Sequence, residues 1–578
     1  MRRCEAESDT ESDSHHLSPY AIRMDSTAAL PQPAPLTDPL YYLRNFQAAL
    51  GWIRQRYDDL LSDEARAFID SFLSLPGNAQ ALLVRMIMRK GTLFRASRLR
   101  YPEIGGTGQA MAPLIALGWV TENPPTTLAE LFEQLTQPEL RKVFGSRLPA
   151  GRKATQQAAL EAEASGPRPF SQWAPNLPEE LFALEVKPLC DRLRLMFFGN
   201  LRQGWSEFVL AELGVFRYEQ VAISRHSRAF SSPADIELAL QLHACRLQLE
   251  QGLPASDLLP LLPSGEAGTS WLQLRRQRLL FHIGQQAEKE SDLTTAASAY
   301  RQCQWPGARA RYVRVLEVSG RQAAALALLQ QALAAPESEA ETQQLQRMRP
   351  RLQRHFGQPV QRAAAPQAPQ QLTLNLPRPA TLHSVELLVR DHLHSAAAPV
   401  HYVENSLITG LFGLLCWEAL FAPLPGAFFH PFHQGPADLL QPDFALRRKA
   451  LFESALAELN DDRWRATIRR RFADKHGVHN PFVAWGALDE TLLEQALHCL
   501  PGAHLRLWFQ RLLQDIRAHR AGMPDLIRFD LATRGYEMIE VKGPGDRLQD
   551  NQLRWLRFCS AHQMPVRVCY VSWAGADE

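Results

Sequence analysis

The chain has 578 residues, with 63 basic and 61 acidic side chains and a formal net charge of +2. One compact core is excluded, because single domains usually have about 100–200 residues, and three or four structural units are expected. The eight cysteines include no C-x-x-C pair, which argues against a zinc site and a disulfide framework. No apolar run approaches the roughly 20 residues of a membrane span, so the sequence predicts a cytoplasmic, nucleoid-associated protein without a membrane partner.

The first 200 residues predict a tail and two DNA-binding regions. Residues 1–38 are rich in Ser, Asp and Pro, which predicts disorder. Residues 39–122 contain three amphipathic segments, a basic Gly-punctuated stretch and a short GWV end, and they resemble a winged helix. Residues 123–200 include TLAELFEQLTQPELRKVF, which resembles a SAP motif with Thr136 as N-cap and Glu139 three residues later. An ordinary helical hairpin is the alternative for this second region.

Residues 201–356 predict consecutive amphipathic helices that build a surface rather than carry chemistry. Small and large residues alternate as in tetratricopeptide repeats, and an irregular bundle fits nearly as well. The helical periodicity covers 287–300, 307–317, 321–335 and 341–355. Residues 357–379 are rich in Gln, Ala and Pro, which predicts a linker. A C-terminal domain is expected over residues 380–578.

The segment GMPDLIRFDLATRGYEMIEVKGPGDRLQDNQLRWL predicts a β-hairpin followed by a helix, and a further strand is expected over 566–571. Side chains alternate along a strand, so Glu540 and Lys542 share one face and Ile539 faces a core. Asp525 precedes the neighbouring strand and can converge on the same point. Two carboxylates and a lysine are therefore expected together at one end of a sheet.

Paired carboxylates suit hard divalent cations such as Mg²⁺ or Mn²⁺, which polarise a phosphoryl group and generate hydroxide. A nearby lysine can orient water and neutralise developing negative charge. A lone E-x-K on a strand is more often a surface ion pair. Pro524–Asp525 before one strand and Glu540–Val541–Lys542 on the next are much more specific, and they match the PD-(D/E)-x-K nuclease pattern.

The same residues closely resemble the VRR-NUC domain, and within that group the Fanconi-anaemia-associated nucleases, including bacterial members. HYVENSLITGLFGLLCWEALF, from His401, resembles the helix that carries a further acidic metal ligand in that family. Glu404 would then be the remote carboxylate, with Leu414, Leu415 and Trp417 buried beside it. His430 and His433 are interpreted as loop and core residues. The implied fold is mostly α in its N-terminal and central regions, with a C-terminal α/β nuclease domain.

The resemblance implies a structure-specific endonuclease that cuts near 5′-flap junctions, degrades DNA 5′ to 3′ as a phosphodiesterase I-type exonuclease and acts in interstrand cross-link repair. It implies two Mg²⁺ or Mn²⁺ ions held by Glu404, Asp525, Glu540 and the backbone carbonyl of Val541, with Lys542 as a further catalytic residue. Two alternatives stay open: a junction-resolving or restriction-type nuclease, and a catalytically inactive DNA-binding scaffold.

The partner expected from the resemblance is branched or 5′-flap duplex DNA, and dimerisation on DNA stays open. Ubiquitin binding is not expected, because no Cys/His set could build the zinc finger of eukaryotic members. Arginine clusters occur at 85–100, 192–202, 275–278 and 463–471. Charge and position predict these DNA contacts: Arg85, Arg89, Lys90, Arg95, Arg98, Arg141, Lys142, Arg152, Lys153, Arg517 and Arg520.

Overall fold

The computed structural model describes residues 37–161, 166–205, 217–263, 268–360, 369–378 and 384–574. Nearly all of the predicted tail, residues 1–38, therefore lies outside the described residues. Among the helices of these ranges, none combines the length and the apolar character needed to cross a lipid bilayer.

Ten strands form three sheets in the described ranges. They are β1 (Leu93–Arg95), β2 (Val120–Glu122), β3 (Pro125–Thr126), β4 (Arg168–Pro169), β5 (Leu181–Leu184), β6 (Gln370–Pro377), β7 (Val400–Tyr402), β8 (Leu526–Asp530), β9 (Gly535–Lys542) and β10 (Val566–Ala574).

Most of the remaining described residues are helical. The α-helices are Tyr41–Tyr57, Asp63–Ser74, Gly77–Ile87, Thr107–Ala116, Leu128–Gln134, Gln137–Phe144, Lys153–Glu161, Phe170–Trp173, Lys187–Phe198, Pro233–Glu250, Ala255–Leu261, Ser270–Lys289, Leu293–Arg301, Ala308–Val318, Gln322–Ala334, Glu339–His355, Val385–Leu393, Leu407–Leu415, Trp417–Leu420, Phe444–Arg447, Lys449–Ala457, Arg463–Asp474, Glu490–Cys499, Gly502–Gln514, Ile516–His519 and Asp550–Ala561. Short 3₁₀ turns cover Asp58–Leu60, Ala96–Arg98, Gly145–Arg147, Arg225–Ser227 and Glu458–Asn460.

The first region combines helices with a small antiparallel sheet, as the winged-helix resemblance predicts. Its strand order is β1–β5–β2, so β5 lies between the other two. This central strand comes from beyond residue 122, the predicted end of the region. Leu181–Leu184 lacks polar alternation because all four of its residues are buried. The chain of the SAP-like region therefore leaves the sheet after β2 and returns to it as β5.

Two capping boxes start the SAP-like helices. The Thr136 N–H donates to Glu139 Oε2 at 2.7 Å, which confirms the predicted N-cap of Gln137–Phe144. Thr127 and Glu130 form the same motif before Leu128–Gln134. Reciprocal bonds of this kind satisfy N–H groups that the first helical turn leaves without partners. The region has its own small apolar core around Leu131 and Leu140.

The central region is helical as predicted, with each helix from Ser270 to His355 packed on the next. The predicted continuous helix over 287–300 is wrong, because one helix ends at Lys289 and another begins at Leu293. Ser291 adopts a positive φ of 61° at the break. Asp292 caps the next helix by accepting a hydrogen bond from Thr295 N–H at 3.0 Å. A short capping side chain thus divides a segment of uniform helical periodicity.

The C-terminal domain contains a five-stranded mixed sheet in the order β6–β10–β9–β8–β7. Strand β10 pairs in parallel with both β6 and β9, whereas β8 is antiparallel to its two neighbours. One face of the sheet packs Ile539 and Val541 into a separate apolar cluster. The opposite face contributes Met538 and Phe529 to the main core. The hairpin, helix and third strand expected after Gly522 are therefore confirmed.

Strand β6 corrects the linker prediction for residues 370–377. Its eight residues pair with β10 from Gln370, opposite Arg567, to Pro377, opposite Ala574. Leu372, Leu374 and Leu376 pack towards the sheet's apolar cluster, so LTLNLP has the two-residue period of a strand. The nuclease sheet therefore begins before residue 380.

Candidate active site

The hairpin of β8 and β9 brings Asp525 beside Glu540. Leu526 pairs with Ile539, so the residue before β8 faces the residue after Ile539. Asp525 is only 6% exposed, and its Oδ2 accepts a hydrogen bond from Val541 N–H at 2.8 Å. The backbone of one strand thus fixes the carboxylate that precedes the other.

Glu540 and Lys542 share the same face of β9, as strand alternation predicts. Lys542 Nζ lies 2.7 Å from Glu540 Oε1. This pair is not on the surface, because Glu540 is 0% exposed and Lys542 only 8%. Among the described residues, this lysine is the one polar contact of the Glu540 carboxylate, and Oε2 has no hydrogen-bond partner. The close lysine is therefore the main compensation for a costly buried charge.

Burial governs the protonation of these groups. It raises the pKa of Asp525 to about 6, against the opposing effects of the Val541 hydrogen bond and the Lys542 charge. Burial and then the Asp525 carboxylate raise the pKa of Glu540 to about 8, although Lys542 acts in the opposite direction. Asp525 and Glu540 are close together, and both have raised pKa values. A bound cation would stabilise the ionised form of each, so the site is suited to a cation.

Glu404 lies in the turn between β7 and the helix Leu407–Leu415, rather than on that helix. It is exposed, and the Tyr402 hydroxyl donates to its Oε2 at 2.6 Å. Asn405 Nδ2 donates to Oε1 at 3.2 Å. Leu414, Leu415 and Trp417 are buried as predicted. The charge of Glu404 also contributes to the raised pKa values of Asp525 and Glu540, so it acts on the same site.

The residues around Glu540 fit a hard divalent cation. The side chains of Glu404, Asp525 and Glu540 offer carboxylate oxygens as metal ligands, the type that Mg²⁺ and Mn²⁺ prefer. Glu540 Oε2, which has no hydrogen-bond partner among the described residues, is available to such an ion. As they stand, no three His, Cys, Asp or Glu side chains in the described ranges are grouped closely enough to hold a metal. Closing the site on an ion would require Glu540 to exchange its contact with Lys542 for the ion.

His430 and His433 are loop and core residues, as interpreted from the sequence: both lie outside helices and strands, His430 is buried and His433 is half-buried. His430 is 1% exposed and stacks on Phe197 at a centroid distance of 5.6 Å. Its Nδ1 accepts a hydrogen bond from Phe432 N–H at 3.1 Å. Burial lowers the pKa of both histidines, so they stay neutral.

Several of the predicted DNA contacts are engaged within the protein: the exposed Arg89 donates to the Arg98 carbonyl at 2.9 Å, and three less exposed side chains are held more firmly. Arg95 is a correction: it is 7% exposed and pairs with Glu139 and Glu179, so it holds two regions together. Arg85 pairs with Glu103 at 2.5 Å. Lys153 Nζ donates to the carbonyls of Phe132 and Leu135, where it caps the end of a helix. The exposed members of the predicted set are Arg89, Lys90, Arg98, Arg141, Lys142, Arg152 and Arg517, and Arg520 is half-buried.

A second group of arginines comes together from four separate segments, and its members are Arg202, Arg246, Arg275, Arg278 and Arg517. Arg278 and Arg517 lie over the same ring, that of Trp305, at 5.9 and 4.7 Å. Burial and then the guanidinium groups of Arg202, Arg246 and Arg278 lower the pKa of Arg275. The clusters at 192–202 and 275–278 are visible in the sequence, but nothing there joins them to Arg246 or Arg517.

A buried carboxylate pair and lysine on adjacent strands of a mixed sheet define a nuclease of the PD-(D/E)-x-K class. Residues 459–573 match the VRR-NUC domain. Residues 40–121 match the "FAN1, HTH domain", and residues 125–173 match the Fanconi anemia-associated nuclease SAP domain.

The chain is 53% identical to the Fanconi-associated nuclease 1 homolog of Pseudomonas aeruginosa over 94% of this chain and 98% of that protein. It is 24% identical to human Fanconi-associated nuclease 1 over 96% of this chain, which spans 65% of the human protein. A crystal structure of paFAN1 bound to 2-nt 5′-flap DNA with a gap is similar with a TM-score of 0.88 and 52% identity, covering 94% of this chain and all of that one.

The chain therefore belongs to the Fanconi-associated nuclease 1 family. This membership confirms the resemblance based on Asp525, Glu540 and Lys542, together with the predicted fold class. It identifies the chain as a DNA nuclease with N-terminal helix–turn–helix and SAP regions. Apart from the linker, whose end is corrected by β6, the exact domain boundaries stay predictions.

Proposed function

We propose that the chain is a divalent-metal-dependent, structure-specific nuclease that cleaves DNA near 5′-flap junctions. The observation that carries the proposal is Glu540, which is fully buried beside Asp525 and whose carboxylate has Lys542 as its one polar contact among the described residues. The proposal is supported by the similar crystal structures of paFAN1 bound to 1-nt and 2-nt 5′-flap DNA with a gap. A 5′-to-3′ exonuclease activity and a role in interstrand cross-link repair belong to the same proposal.

Glu404, Asp525, Glu540 and the backbone carbonyl of Val541 would hold Mg²⁺ or Mn²⁺, with two ions per site as in the sequence-based expectation. Such an ion supplies Lewis-acid polarisation of the phosphate and a water of lowered pKa. Val541 N–H keeps Asp525 oriented through its 2.8 Å hydrogen bond. Lys542, once Glu540 no longer holds it, can donate to the attacking water or to a phosphate oxygen. Glu540 is 0% exposed, so its carboxylate is kept from bulk water.

The group of Arg202, Arg246, Arg275, Arg278 and Arg517 supports the DNA-binding part of the proposal. Neighbouring guanidinium groups lower the pKa of Arg275 and Arg278, so a multiply charged anion bound beside them would stabilise their protonated forms. Duplex DNA is such an anion, because its phosphates are closely and regularly spaced. Arg517 belongs to Ile516–His519, a short helix six residues before Asp525. The remaining exposed cations would extend this track towards the helix–turn–helix and SAP regions.

The central test is cleavage of an end-labelled 5′-flap duplex with Mg²⁺ or Mn²⁺ by the full chain and by Asp525→Asn. We expect the variant to lose at least about 100-fold in rate, since losing a metal ligand removes several kcal/mol of transition-state stabilisation and each 1.4 kcal/mol is tenfold. The matched control is Asp530→Asn at the exposed end of the same strand, where the side chain accepts bonds from the Ala532 and Thr533 amides. Equal cleavage by wild type and Asp525→Asn would overturn the proposed site.

Substrate choice is tested with the same protein on flap, fork, four-way junction and plain duplex DNA. The proposal expects the flap to be cut fastest, at phosphates near the junction. A clear preference for the four-way junction would overturn the flap assignment in favour of a junction-resolving nuclease. Binding without cleavage, in every divalent metal, would instead favour a catalytically inactive scaffold.

A further inference from the structure

Asn405 connects the turn that carries Glu404 to the segment that carries Asp525. Its Oδ1 accepts a hydrogen bond from Met523 N–H at 3.0 Å, across 118 residues of sequence. Its Nδ2 donates to Glu404 Oε1 at 3.2 Å. One amide side chain therefore touches both the remote carboxylate and the backbone two residues before Asp525.

The backbone explains why a side chain is needed at this point. Tyr402 pairs with Leu526 in the sheet, and Val403 N–H donates to the Asp525 carbonyl at 2.8 Å. After Val403 the chain turns away, and Asn405 adopts a positive φ of 52°. The Asn405 side chain then provides the acceptor that the departing backbone no longer offers to Met523. Asparagine tolerates this left-handed conformation far better than most residues.

We propose that Asn405 is a positioning residue that fixes Glu404 relative to Asp525 and so prepares the metal site. This inference rests on the proposed function. The Tyr402 hydroxyl, 2.6 Å from Glu404 Oε2, holds the second oxygen, so each oxygen of the exposed carboxylate has its own donor. A long, exposed side chain would otherwise sample several rotamers and lose entropy on binding an ion. Partners that orient metal ligands commonly change metal affinity by about 10–100-fold.

The test compares Asn405→Gly with Asn123→Gly. Glycine accepts the positive φ at both positions and removes the amide. Asn123, at φ 50°, is a close match: its Oδ1 accepts from Ser171 N–H at 2.8 Å and its Nδ2 donates to Ser171 Oγ at 2.9 Å. Mn²⁺ affinity of the DNA-free full chain is measured by calorimetry, and half-saturating Mn²⁺ is measured in flap cleavage. We expect a roughly tenfold weaker Mn²⁺ affinity for Asn405→Gly and no change for Asn123→Gly.

A double-mutant cycle with Glu404→Gln separates positioning from general damage. If Asn405 acts through Glu404, Asn405→Gly causes no further loss of Mn²⁺ affinity in the Glu404→Gln background. Full additivity, or an unchanged Mn²⁺ affinity in Asn405→Gly alone, overturns the inference about Asn405. Wild-type metal affinity and cleavage in Glu404→Gln would instead overturn the metal-ligand role in the proposed function. Thermal melting of each variant in EDTA verifies that the fold is retained.

Discussion

At the scale of single residues, Glu540 is more costly to the fold than any other member of the site. It is completely buried, and within the described part of the chain only Lys542 makes a polar contact with its carboxylate. Residues that bind a cation in the functional state often carry such a cost in its absence. Lys542 reduces the cost at a distance of 2.7 Å, and a bound cation would replace it. The site is thus built for binding at the expense of stability in the metal-free protein.

This cost leads to a pH prediction for the metal-free protein. The pKa of Glu540 is raised to about 8 in the folded state, above its ordinary value of 4.5, so the folded protein binds more protons between these pH values. Its contribution to the free energy of unfolding is therefore lost as pH rises from about 4.5 through 8. Glutamine does not titrate, so Glu540→Gln should gain melting temperature relative to wild type across this window, and the difference should level off above it.

Melting curves in EDTA at several pH values between 5 and 8.5 give this difference directly. Comparing the two proteins at each pH cancels the titration of shared groups that are distant from residue 540, whereas Asp525 and Lys542 interact with Glu540 and contribute to the difference. Glu537→Gln is the control, since this partly exposed residue lies on the same strand and pairs with Arg567. A Glu540→Gln difference that stays constant with pH would contradict the raised pKa.

The sequence predicts which residues form the site, but it does not predict how deeply they are buried or which distant residues contact them. Strand alternation is sufficient to place Glu540 and Lys542 on one face, and motif spacing is sufficient to bring Asp525 to them. The burial of Glu540 depends on β10 and on packing contributed by distant segments, and no local pattern encodes it. The bond between Asn405 and Met523 spans 118 residues, so only the fold reveals it. Arg95 shows the opposite error, in which a charge expected to meet DNA faces two carboxylates inside the protein.

At the scale of elements, average composition can obscure a strand, and a basic residue can form an ion pair inside the protein instead of binding DNA. Residues 357–379 average to a Gln-, Ala- and Pro-rich linker, although β6 within them alternates like other strands. Similarly, Arg95 belongs to a basic stretch, yet it joins β1 to the SAP-like helix Gln137–Phe144 through Glu139. Its hydrogen bond is the main reason that the pKa of Glu139 falls to about 2. Both features depend on partners that are remote in sequence.

The ion pairs of Arg95 predict that substitutions of Arg95 and of the nearby Arg98 have different effects, the first on stability and the second on DNA binding. Arg95→Met leaves Glu139 and Glu179 without their guanidinium partner, and breaking a buried pair typically costs about 3–5 kcal/mol. We therefore expect a clearly lower melting temperature, with the salt dependence of DNA binding unchanged.

Arg98→Met removes an exposed cation of the predicted DNA track and should lower the salt slope by about one unit with little effect on stability. A lower salt slope in Arg95→Met would show that Arg95 contacts DNA after all.

At the scale of the whole molecule, the last central helix is fixed to the helix that follows the catalytic strand. Arg347 on Glu339–His355 pairs with Asp550 at the start of Asp550–Ala561, and Gln343 also donates to Asp550, at 3.1 Å. Deeper in the contact, the buried Arg511 binds Glu339 through two hydrogen bonds of 2.9 and 2.7 Å. These contacts thus fix the position of the last central helix relative to the sheet that carries the proposed active site.

We expect this contact to control which DNA structure reaches the nuclease site. Arg347→Glu places a carboxylate opposite Asp550, and repulsion between such exposed charges is worth roughly 1 kcal/mol, or about a fivefold change in a population. The ratio of flap to plain-duplex cleavage should fall by about that factor, and Asp550→Ala added to Arg347→Glu should restore part of it by removing the repulsion. The matched control is Arg351→Glu on the same helix, which pairs with Glu317 inside the central region and should leave the ratio unchanged. Equal ratios for wild type and Arg347→Glu, or no recovery in the double variant, would mean that the two units select and cut DNA without this contact.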